Sequence, residues 1–586
     1  MYLLSNLNRK LLQIALSLLL ATPCLGGENQ WTLRQPSADT GQILGLTVDP
    51  QNPGTIFLAT ENGLFRSEDS GLNWEVVNPS PRGRQVLPHI APPLTVLFAL
   101  GGKGVLFSLT RGQGWVDPGI ARHWIAESNE TLLGVHSLPG KVGVYVATAC
   151  CAGGPSFPPI DFRSWRSADS GETFIDVTDQ VGFARSMAVD DSTSLTIYLA
   201  SALGVFRSQD AGDSWQQAAG AGLPAGTEIL ALGADPRFTP ARLVAGSASG
   251  RAFASDDRGE SWFDAGTVPG AIRQLRVDPA VNRSIYYARS NDGLFANFGG
   301  TQWLPMRRGA GADDLTLLAL SSTAQANPAA LFGVTSANQV LHYQPQYRYL
   351  PQVGEGESGV SRFQTSLVTR NAGGQSFLHV EFFDPDGEEL ELELADFGPS
   401  SFISAVVERG ESLDLEAVAR PNLRIGYARL LAGASVGGTA VFTRSDVPSG
   451  QTLYEAGVPL TGAFSDFSVA VDSIGPRDSG VALVNASAQP AQIVARLYDQ
   501  SFDLLSVEQL ELPPNSQLAR FVFELFPDVQ QQAREMKGTL TIASDQPLAA
   551  VALRQNEDIL DTFPSSVPTL TVFPVIAGRA DQDQNP

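Results

Sequence analysis

Residues 67–74 read SEDSGLNW, and this phrase decides the fold because it recurs along the first half of the chain. It returns as SADSGETF at residues 167–174, as SQDAGDSW at 208–215 and as SDDRGESW at 255–262. All four copies share the frame Ser-x-Asp-x-Gly-x-x-Trp/Phe. A fixed frame that returns along one chain is the signature of a repeat architecture.

Each copy of the phrase closes a unit of four short predicted strands. The first strand ends in Asp-Pro, as in LGLTVDP at residues 44–50, and TIFLAT at 55–60 forms the second. Gly63 opens the third strand, the phrase makes the next turn, and its Trp begins the fourth strand. Four antiparallel strands separated by turn residues are typical of a propeller blade.

Weaker copies complete a series of seven units. They are SLTRGQGW at residues 108–115, ANFGGTQW at 296–303 and a unit without the phrase at about 314–343. The spacing of roughly 40 residues falls in the range of propeller repeats. We expect Trp-Thr-Leu at 31–33 to supply the last strand of the seventh unit. The prediction is an all-β chain with a seven-bladed β-propeller over residues 31–350, followed by two β-sandwich modules.

The phrase resembles the Asp-box, or BNR, repeat of bacterial sialidases, sortilin-type receptors, xyloglucanases and the photosystem II assembly factors of that type. The resemblance implies that the box is structural. Its Asp would accept backbone N–H groups across the turn, and its aromatic residue would pack between strands. One Asp per blade is spread around a ring, which speaks against metal binding or catalysis. The residues concerned are Asp69, Asp169, Asp210, Asp257, Trp74, Trp215 and Trp262.

The second half of the chain is predicted to hold two related modules. Residues 351–361 are rich in Gly and predict a linker. The modules would span residues 362–462 and 463–580, because TSLVTRNA at 365–372 returns as GVALVNAS at 480–487. Short alternating strands suggest immunoglobulin-like sandwiches, without a Cys pair to support true membership.

Two shorter stretches of the second half also carry predictions. DPDGEE at residues 384–389 predicts a hairpin turn, since it lacks the ligand spacing and downstream Glu of an EF-hand calcium loop. A short helix is expected near residues 518–525, ahead of Pro527.

The N-terminus predicts a secretory signal peptide over residues 1–26. Arg9 and Lys10 precede a mainly apolar stretch at 11–20, and small residues near Gly26 suit cleavage. Roughly ten apolar residues are too few to span a bilayer, which needs about 20. The mature protein is therefore expected to be secreted, in the extracellular space, the periplasm or at the cell surface.

The net charge is −22, and it is unevenly spread. Residues 351–586 contain 32 acidic and 14 basic residues, a net charge of −18. This acidity argues against nucleic acid and against insertion into or binding to anionic membranes. It leaves room for a local basic site in the first half.

Candidate binding residues map to the loops on the face opposite the boxes. One is an insertion at residues 149–162, which is longer than the equivalent loops of the other units, and long loops tend to carry function. Its adjacent Cys150 and Cys151 would form either a strained vicinal disulfide or two thiols. Basic residues in the loops between blades could converge into a cationic bowl for carboxylate or phosphate groups, or be ordinary solvated side chains. They are Arg82, Arg84, Arg122, His123, Arg185, Arg273, Arg307 and Arg308.

Motifs of catalysis are missing from the sequence. It contains no Arg-Ile-Pro of sialidases and no His-Glu-x-x-His, and its five His form no metal set. We therefore predict no catalytic residue, no metal and no cofactor. The predicted function is non-catalytic binding of an extracellular or periplasmic protein or a glycan. The alternatives are a glycoside hydrolase acting from the same face and an assembly factor for a membrane complex.

Overall fold

The structure is a computed structural model that describes most of the chain between residues 29 and 556. It describes residues 29–36, 39–49, 52–78, 83–91, 94–101, 104–108, 128–138, 141–150, 161–170, 173–190, 196–279, 283–306, 314–321, 329–418, 420–475 and 477–556. The predicted signal peptide lies outside them. The described residues form two compact units, 29–345 and 346–556.

The first unit is built from 27 described strands and one short helix, Thr178–Val181. The strands are β1 (Trp31–Leu33), β2 (Ile43–Asp49), β3 (Asn52–Thr60), β4 (Gly63–Ser67), β5 (Glu75–Asn78), β6 (Gly83–Ala91), β7 (Leu94–Gly101), β8 (Gly104–Ser108), β9 (Ser128–Leu138), β10 (Lys141–Cys150), β11 (Asp161–Ser167), β12 (Ile175–Asp176), β13 (Ala184–Val189), β14 (Ile197–Ser201), β15 (Gly204–Ser208), β16 (Gln216–Gln217), β17 (Ile229–Asp235), β18 (Arg242–Ser247), β19 (Arg251–Ser255), β20 (Phe263–Thr267), β21 (Ile272–Asp278), β22 (Ile285–Ser290), β23 (Gly293–Asn297), β24 (Leu304–Pro305), β25 (Leu315–Ser321), β26 (Ala330–Thr335) and β27 (Val340–Tyr343).

These strands form antiparallel sheets, which we number as blades. Blade 1 is β2–β5, blade 2 β6–β8, blade 3 β9–β12, blade 4 β13–β16, blade 5 β17–β20, blade 6 β21–β24 and blade 7 β25–β27 with β1. The first strands of successive blades lie side by side, and β25 returns to β2, so the sheets close into a ring. The chain is all-β, as predicted, and this ring of meandering sheets is a β-propeller.

The ring closes through residues from the start of the unit. β1 pairs antiparallel with β27 and places Trp31 opposite Tyr343, with their ring centroids 5.3 Å apart. The predicted role of residues 31–33 as the outer strand of the last blade is confirmed.

Apolar clusters fill the seams between blades. Between blades 4 and 5, the fully buried Tyr198 and Leu243 pack with Phe253 and Trp262. A similar cluster joins blades 5 and 6, and another joins blades 7 and 1. Alternate residues of each strand point to opposite faces of the sheet, so each blade packs against both of its neighbours.

The second unit contains sixteen described strands, two short helices, Val522–Leu525 and Gln530–Ala533, and a 3₁₀ turn, Pro527–Val529. The strands are β28 (Arg348–Ser358), β29 (Ser361–Asn371), β30 (Ser376–Phe383), β31 (Leu392–Leu394), β32 (Gly398–Ser400), β33 (Phe402–Val407), β34 (Ser412–Glu416), β35 (Arg424–Ala432), β36 (Val436–Asp446), β37 (Thr452–Pro459), β38 (Ala463–Asp472), β39 (Arg477–Asn485), β40 (Ala491–Asp499), β41 (Leu504–Leu512), β42 (Gln517–Phe521) and β43 (Lys537–Asn556).

Two large antiparallel sheets organise this unit. One contains eight strands, in the order β33-β30-β35-β28-β29-β36-β37 with β34 beside β29. The other contains six, in the order β41-β40-β43-β39-β42 with β38 beside β43. Ala482 and Val551 of the second sheet pack into the apolar core of the first, so the two sheets belong to one compact unit. The immunoglobulin-like character of the modules stays a prediction.

The linker expected at residues 351–361 is wrong. These residues lie mainly in β28 and at the start of β29, and β28 passes from pairing with β35 to pairing with β29. Gly356 sits at that crossing with φ +118, and a Cβ there would lie 2.1 Å from the carbonyl oxygen of Asn422. The glycines that suggested flexibility therefore serve close packing of backbone.

The internal repeat of the second half has a structural counterpart. Asn371 and Asn485 are the last residues of β29 and β39, the two strands that carry the repeated phrases, and both are fully buried. The Asn371 amide donates to the carbonyl oxygens of Gly374 and Val407, and that of Asn485 to three carbonyl oxygens at 489, 512 and 513. Each Asn thus bonds its own strand end to carbonyl oxygens at the ends of neighbouring strands and in the adjoining turns.

The two shorter predictions for this unit also meet the structure. Asp384 accepts backbone N–H groups from residues 386 and 388, so residues 384–389 form a tight turn between strands. The helix expected near 518–525 covers only Val522–Leu525, and the residues before it form β42.

Candidate functional site

The four complete boxes adopt one geometry. In the first, the Ser67 hydroxyl donates to Asp69, and Asp69 accepts the backbone N–H of Asn73 at 2.8 Å. The same two bonds recur in the boxes that begin at Ser167, Ser208 and Ser255. Burial alone would raise the pKa of Asp210, but hydrogen bonds from Ser214 and Ser208 lower it to about 2. Each box carboxylate is therefore occupied in fixing its own turn.

The box tryptophans connect neighbouring blades. Trp262 of blade 5 donates its indole N–H to the carbonyl oxygen of Ala218 in blade 4, at 3.0 Å. Trp74 reaches Arg34 in the same way, across the closure of the ring. Trp215 differs: its indole nitrogen is buried and no described atom accepts its hydrogen.

A second kind of hydrogen bond between blades is accepted by the Asp at the end of the first strand. Asp235 accepts the hydroxyl of Tyr286 at 2.7 Å, and Asp278 accepts the backbone N–H of Ala329 at the same distance, each from the next blade. Burial, with the Asp235 charge nearby, raises the pKa of Asp278 to about 6. These carboxylates also act within the scaffold.

The boxes occupy the turns between third and fourth strands and define a lower face. Because the strands alternate in direction, the opposite ends of the blades share an upper face. The upper face comprises the turns between second and third strands and the segments that lead into the first strands. Side chains available for binding are sought there, since the lower face is committed to the boxes.

The structure places only part of the predicted basic set. Arg185 is the second residue of β13 and Arg273 the second residue of β21, so both lie near the upper face. Arg84 lies in β6, and Cys150 is the last residue of β10. The remaining predicted residues lie outside the described residues: Arg82, Arg122, His123, Arg307, Arg308 and Cys151.

Arg185 belongs to an exposed group that we call the aromatic patch: Phe162, Phe183, Arg185 and Leu203. The Phe162 and Phe183 rings have centroids 4.9 Å apart, and the Arg185 guanidinium lies 4.9 Å from the Phe183 centroid. Phe162 is 46% exposed and Leu203 is 56% exposed. Arg185 also lies 3.6 Å from Glu228, an exposed ion pair of little energetic weight.

The aromatic patch adjoins the insertion predicted to carry function. The register of β10 and β11 pairs Cys150 with Asp161 and Ala149 with Phe162. The described ends of the predicted insertion, Cys150 and Asp161, therefore lie at the edge of blade 3 that carries Phe162. Sequence reasoning selected Arg185 but missed both phenylalanines, which become neighbours only through the packing of blade 3 against blade 4.

Three arginines of blade 6 form a second group, the arginine cluster: Arg273, Arg276 and Arg289. Arg273 donates to the Asn291 side chain at 3.0 Å and Arg276 to the carbonyl oxygen of Leu275 at 2.9 Å. Arg289 donates to Gln274 and to the carbonyl oxygen of Leu315 in blade 7. No described carboxylate forms an ion pair with any of the three.

Burial makes the charges of this cluster costly. It lowers the pKa of Arg276, and burial with the charges of Arg273 and Arg276 lowers the pKa of Arg289 to about 10. A lowered pKa means that burial and the neighbouring like charges disfavour the protonated form of these guanidinium groups.

Three acidic side chains of the upper face have partners in their surroundings. Glu61 accepts the backbone N–H of Gln42 at 3.0 Å, and Asp314 accepts the Ser336 hydroxyl. Glu228 faces Arg185. A glycosidase needs two carboxylates about 5–10 Å apart across one substrate bond. Glu61 and Asp314 lie on the two sides of the closure between blades 7 and 1, and Glu228 leads into blade 5.

One cavity of about 300 Å³ opens at the closure between blades 7 and 1. It is lined by Leu33, Gln35, Asp39, Thr40, Gly41 and residues 337–339. Asn338 spans it, accepting the backbone N–H of Ile43 and donating to the carbonyl oxygen of Gly41. The side-chain amide of Asn338 therefore joins blade 7 to the segment that leads into blade 1. In the described residues, no group of three or more His, Cys, Asp or Glu could hold a metal ion.

Comparison with known proteins finds similar solved structures but no matching family. No family model matches the chain, and no curated protein matches it. The structure is similar to an ancestral GH74 enzyme, with 14% identity, a TM-score of 0.39 and coverage of 67% of this chain. The chain spans about half of that enzyme, 55% of its length.

Two further solved structures show similarity at the same level. YCF48 bound to D1 peptide is 17% identical with a TM-score of 0.36, over 55% of this chain and 99% of that protein. The extracellular domain of BT4673 from B. thetaiotaomicron is 13% identical with a TM-score of 0.38, over 61% of this chain and 46% of that one. Within the described residues, no helix is long and apolar enough to cross a membrane.

Proposed function

We propose that this chain is an exported, non-catalytic binding protein whose upper propeller face recognises an extracellular or periplasmic protein. The observation that carries the proposal is the aromatic patch, which lies where β10 ends and β11 begins. Phe162 and Leu203 leave apolar surface in water, and Arg185 adds a charged group at its edge.

The composition of the patch favours a protein over a glycan. Aromatic residues and Arg are enriched at the centres of protein interfaces, where a few residues carry most of the binding energy. Phe and Leu offer no hydroxyl or amide to the hydroxyl groups of a sugar. Glu228, 3.6 Å from Arg185, could be displaced by an acidic group of the partner at small cost, because both side chains are exposed.

The experiment compares the full chain with patch variants. Proteins of the secreted fraction of the source organism are captured on the immobilised chain and identified by mass spectrometry. The dissociation constant of each purified candidate is then measured for wild type, Phe162→Ser, Arg185→Ser and a matched control, Leu72→Ser. Leu72 is 65% exposed but lies in a box turn on the lower face.

We expect each patch variant to weaken binding at least tenfold, which is the loss of about 1.4 kcal/mol, and the control to change it less than twofold. Equal affinities of patch and control variants contradict the proposal. Saturable binding on a glycan array that depends on Phe162 would move the partner to a glycan. Turnover of an oligosaccharide by wild type would replace binding with hydrolysis.

A further inference from the structure

The arginine cluster departs from the repeat that surrounds it. The first and second strands of blades 5 and 6 pair in the same register. Ile229 lies opposite Ser247 in blade 5 and Ile272 opposite Ser290 in blade 6, and in both blades the register shifts directly after this pair. Counting from that point, Arg276 corresponds to Gly233 and Arg289 to Gly246. In the register of blade 4, Ala188 and Ala200 occupy the same two positions.

Small residues at these positions serve the packing of blades. A Cβ on Gly246 would lie 2.4 Å from Ile272 of blade 6, and one on Gly233 would lie 2.9 Å from Val277. The positions therefore face the next blade at close range. In blade 6 they carry the two largest cations instead, on the face of the sheet directed at blade 7.

The register explains why the three arginines meet. Leu275 and Ala288 pack into the apolar cluster shared with blade 5, so Arg276 and Arg289 lie on the other face of the same sheet. Arg289 reaches β25 of blade 7 through the carbonyl oxygen of Leu315, at 3.3 Å. Arg273 sits at the irregularity, at the exposed upper end.

Like charges placed together in partial burial are unfavourable unless an opposite charge joins them. Local rules of a repeat are broken mostly at functional sites, where the loss is offset by a ligand. Each guanidinium carries five N–H groups, of which the described bonds use one in Arg273, one in Arg276 and two in Arg289. Donors remain for an anion.

We propose that Arg273, Arg276 and Arg289 form an oxyanion site, which binds a carboxylate or phosphate group of a ligand at the seam between blades 6 and 7. The planar guanidinium fork matches both groups and binds them through paired N–H donors. This proposal adds an acidic group to the partner proposed above. It rests on the proposed function only in assuming that the ligand binds at the upper face.

The test titrates the full chain with citrate and, separately, with inorganic phosphate at pH 7 in low-salt buffer. Binding is measured by calorimetry and by the rise of the melting temperature, for wild type, Arg276→Ala and Arg289→Ala. These variants restore the small residues of the equivalent positions, so we expect them to fold. Arg251→Ala is the matched control, because Arg251 is paired with Asp264 at 2.8 Å in blade 5.

We expect saturable binding to wild type, a loss of affinity of about tenfold or more in each cluster variant, and no change in the control. Citrate binding with phosphate excluded would assign a carboxylate ligand, and the reverse would assign a phosphate. An absence of saturable binding, or equal binding by wild type and the cluster variants, overturns the proposal. The Phe162→Ser variant leaves the arginine cluster intact. Anion binding that persists in this variant therefore supports the oxyanion site even where the aromatic patch proves not to bind a protein.

Discussion

The hydrogen bond from Trp262 to Ala218 yields a prediction whose size can be worked out, because the chain contains its own control. Trp262 is 5% exposed and Ala218 is 6% exposed, so Trp262→Phe leaves a buried carbonyl oxygen without its donor. Such an orphaned group costs about 1–3 kcal/mol. The lost ring atoms leave a cavity that adds about 1–2 kcal/mol.

Trp215 occupies the same box position one blade earlier, but its buried indole N–H has no described acceptor. It packs edge-on against Tyr145, with ring centroids 6.2 Å apart at 88°. Trp215→Phe should therefore create a similar cavity while removing an unsatisfied donor, which offsets part of the cost. We expect it to destabilise the protein by about 1–3 kcal/mol less than Trp262→Phe.

Native-state hydrogen exchange of the full chain, followed by mass spectrometry, measures both effects locally. Trp262→Phe should speed exchange in peptides that cover β16 and the box at 255–262, and Trp215→Phe should change its own box much less. Urea unfolding followed by circular dichroism gives the overall free-energy difference. Equal costs for the two variants, or faster exchange confined to blade 5, would refute the idea that the indole bond joins the blades.

Three further predictions concern buried polar groups. Glu381→Gln should destabilise the second unit by about 3–5 kcal/mol, because Glu381 pairs with the buried Arg429 at 2.6 Å, whereas Glu381→Leu combined with Arg429→Met should stay within about 2 kcal/mol of wild type in urea unfolding. Asp278→Asn should raise stability by about 1–3 kcal/mol at pH 7.5 and leave it unchanged near pH 3.5. The sign follows from the pKa of Asp278, which burial raises to about 6. The contribution of protonated Asp278 to stability is complete below the unfolded pKa of about 3.9 and is lost as the pH rises through 6. Thermal melts of wild type and variant at both pH values check this prediction. Asn485→Ala, which removes donors to three carbonyl oxygens, should cost about 2–4 kcal/mol, and a cost below about 0.5 kcal/mol would contradict the role of this amide.

The propeller was predictable from sequence because its determinants are local. Ser67, Asp69 and Asn73 bond to one another within a single turn, so their spacing in the chain equals their spacing in the fold. The closure by residues 31–33 could be predicted as well, since a ring of repeats that starts with a full unit needs one more outer strand. The linker prediction failed for the opposite reason. Gly356 is needed because a Cβ there would clash with the carbonyl oxygen of Asn422, a residue far along the chain.

The candidate site was predictable only in part. The sequence singles out Arg185 and Arg273 because it places them in the connections between blades, which a propeller sends to one face; both lie one residue inside the first strands, β13 and β21. Phe162 was missed because its exposure depends on where the packing of blade 3 leaves it. Arg276 and Arg289 were missed because they lie within strands, where an isolated Arg looks like an ordinary surface residue until the register is known.

The register also bears on why blade 6 tolerates its arginines. A repeat scaffold gains stability from each seam almost independently, so one weakened seam lowers the whole by a limited amount. In the seam between blades 5 and 6, Ile272 packs close against the backbone of Gly246. Arg289 occupies the position equivalent to Gly246, so blade 6 lacks this close packing against blade 7. If the cluster were only a packing variant, Arg276→Ala and Arg289→Ala would stabilise the protein equally with and without citrate or phosphate. If it is an oxyanion site, the two variants lose the ligand-induced rise in melting temperature that wild type shows, because only the ligand supplies the missing negative charge.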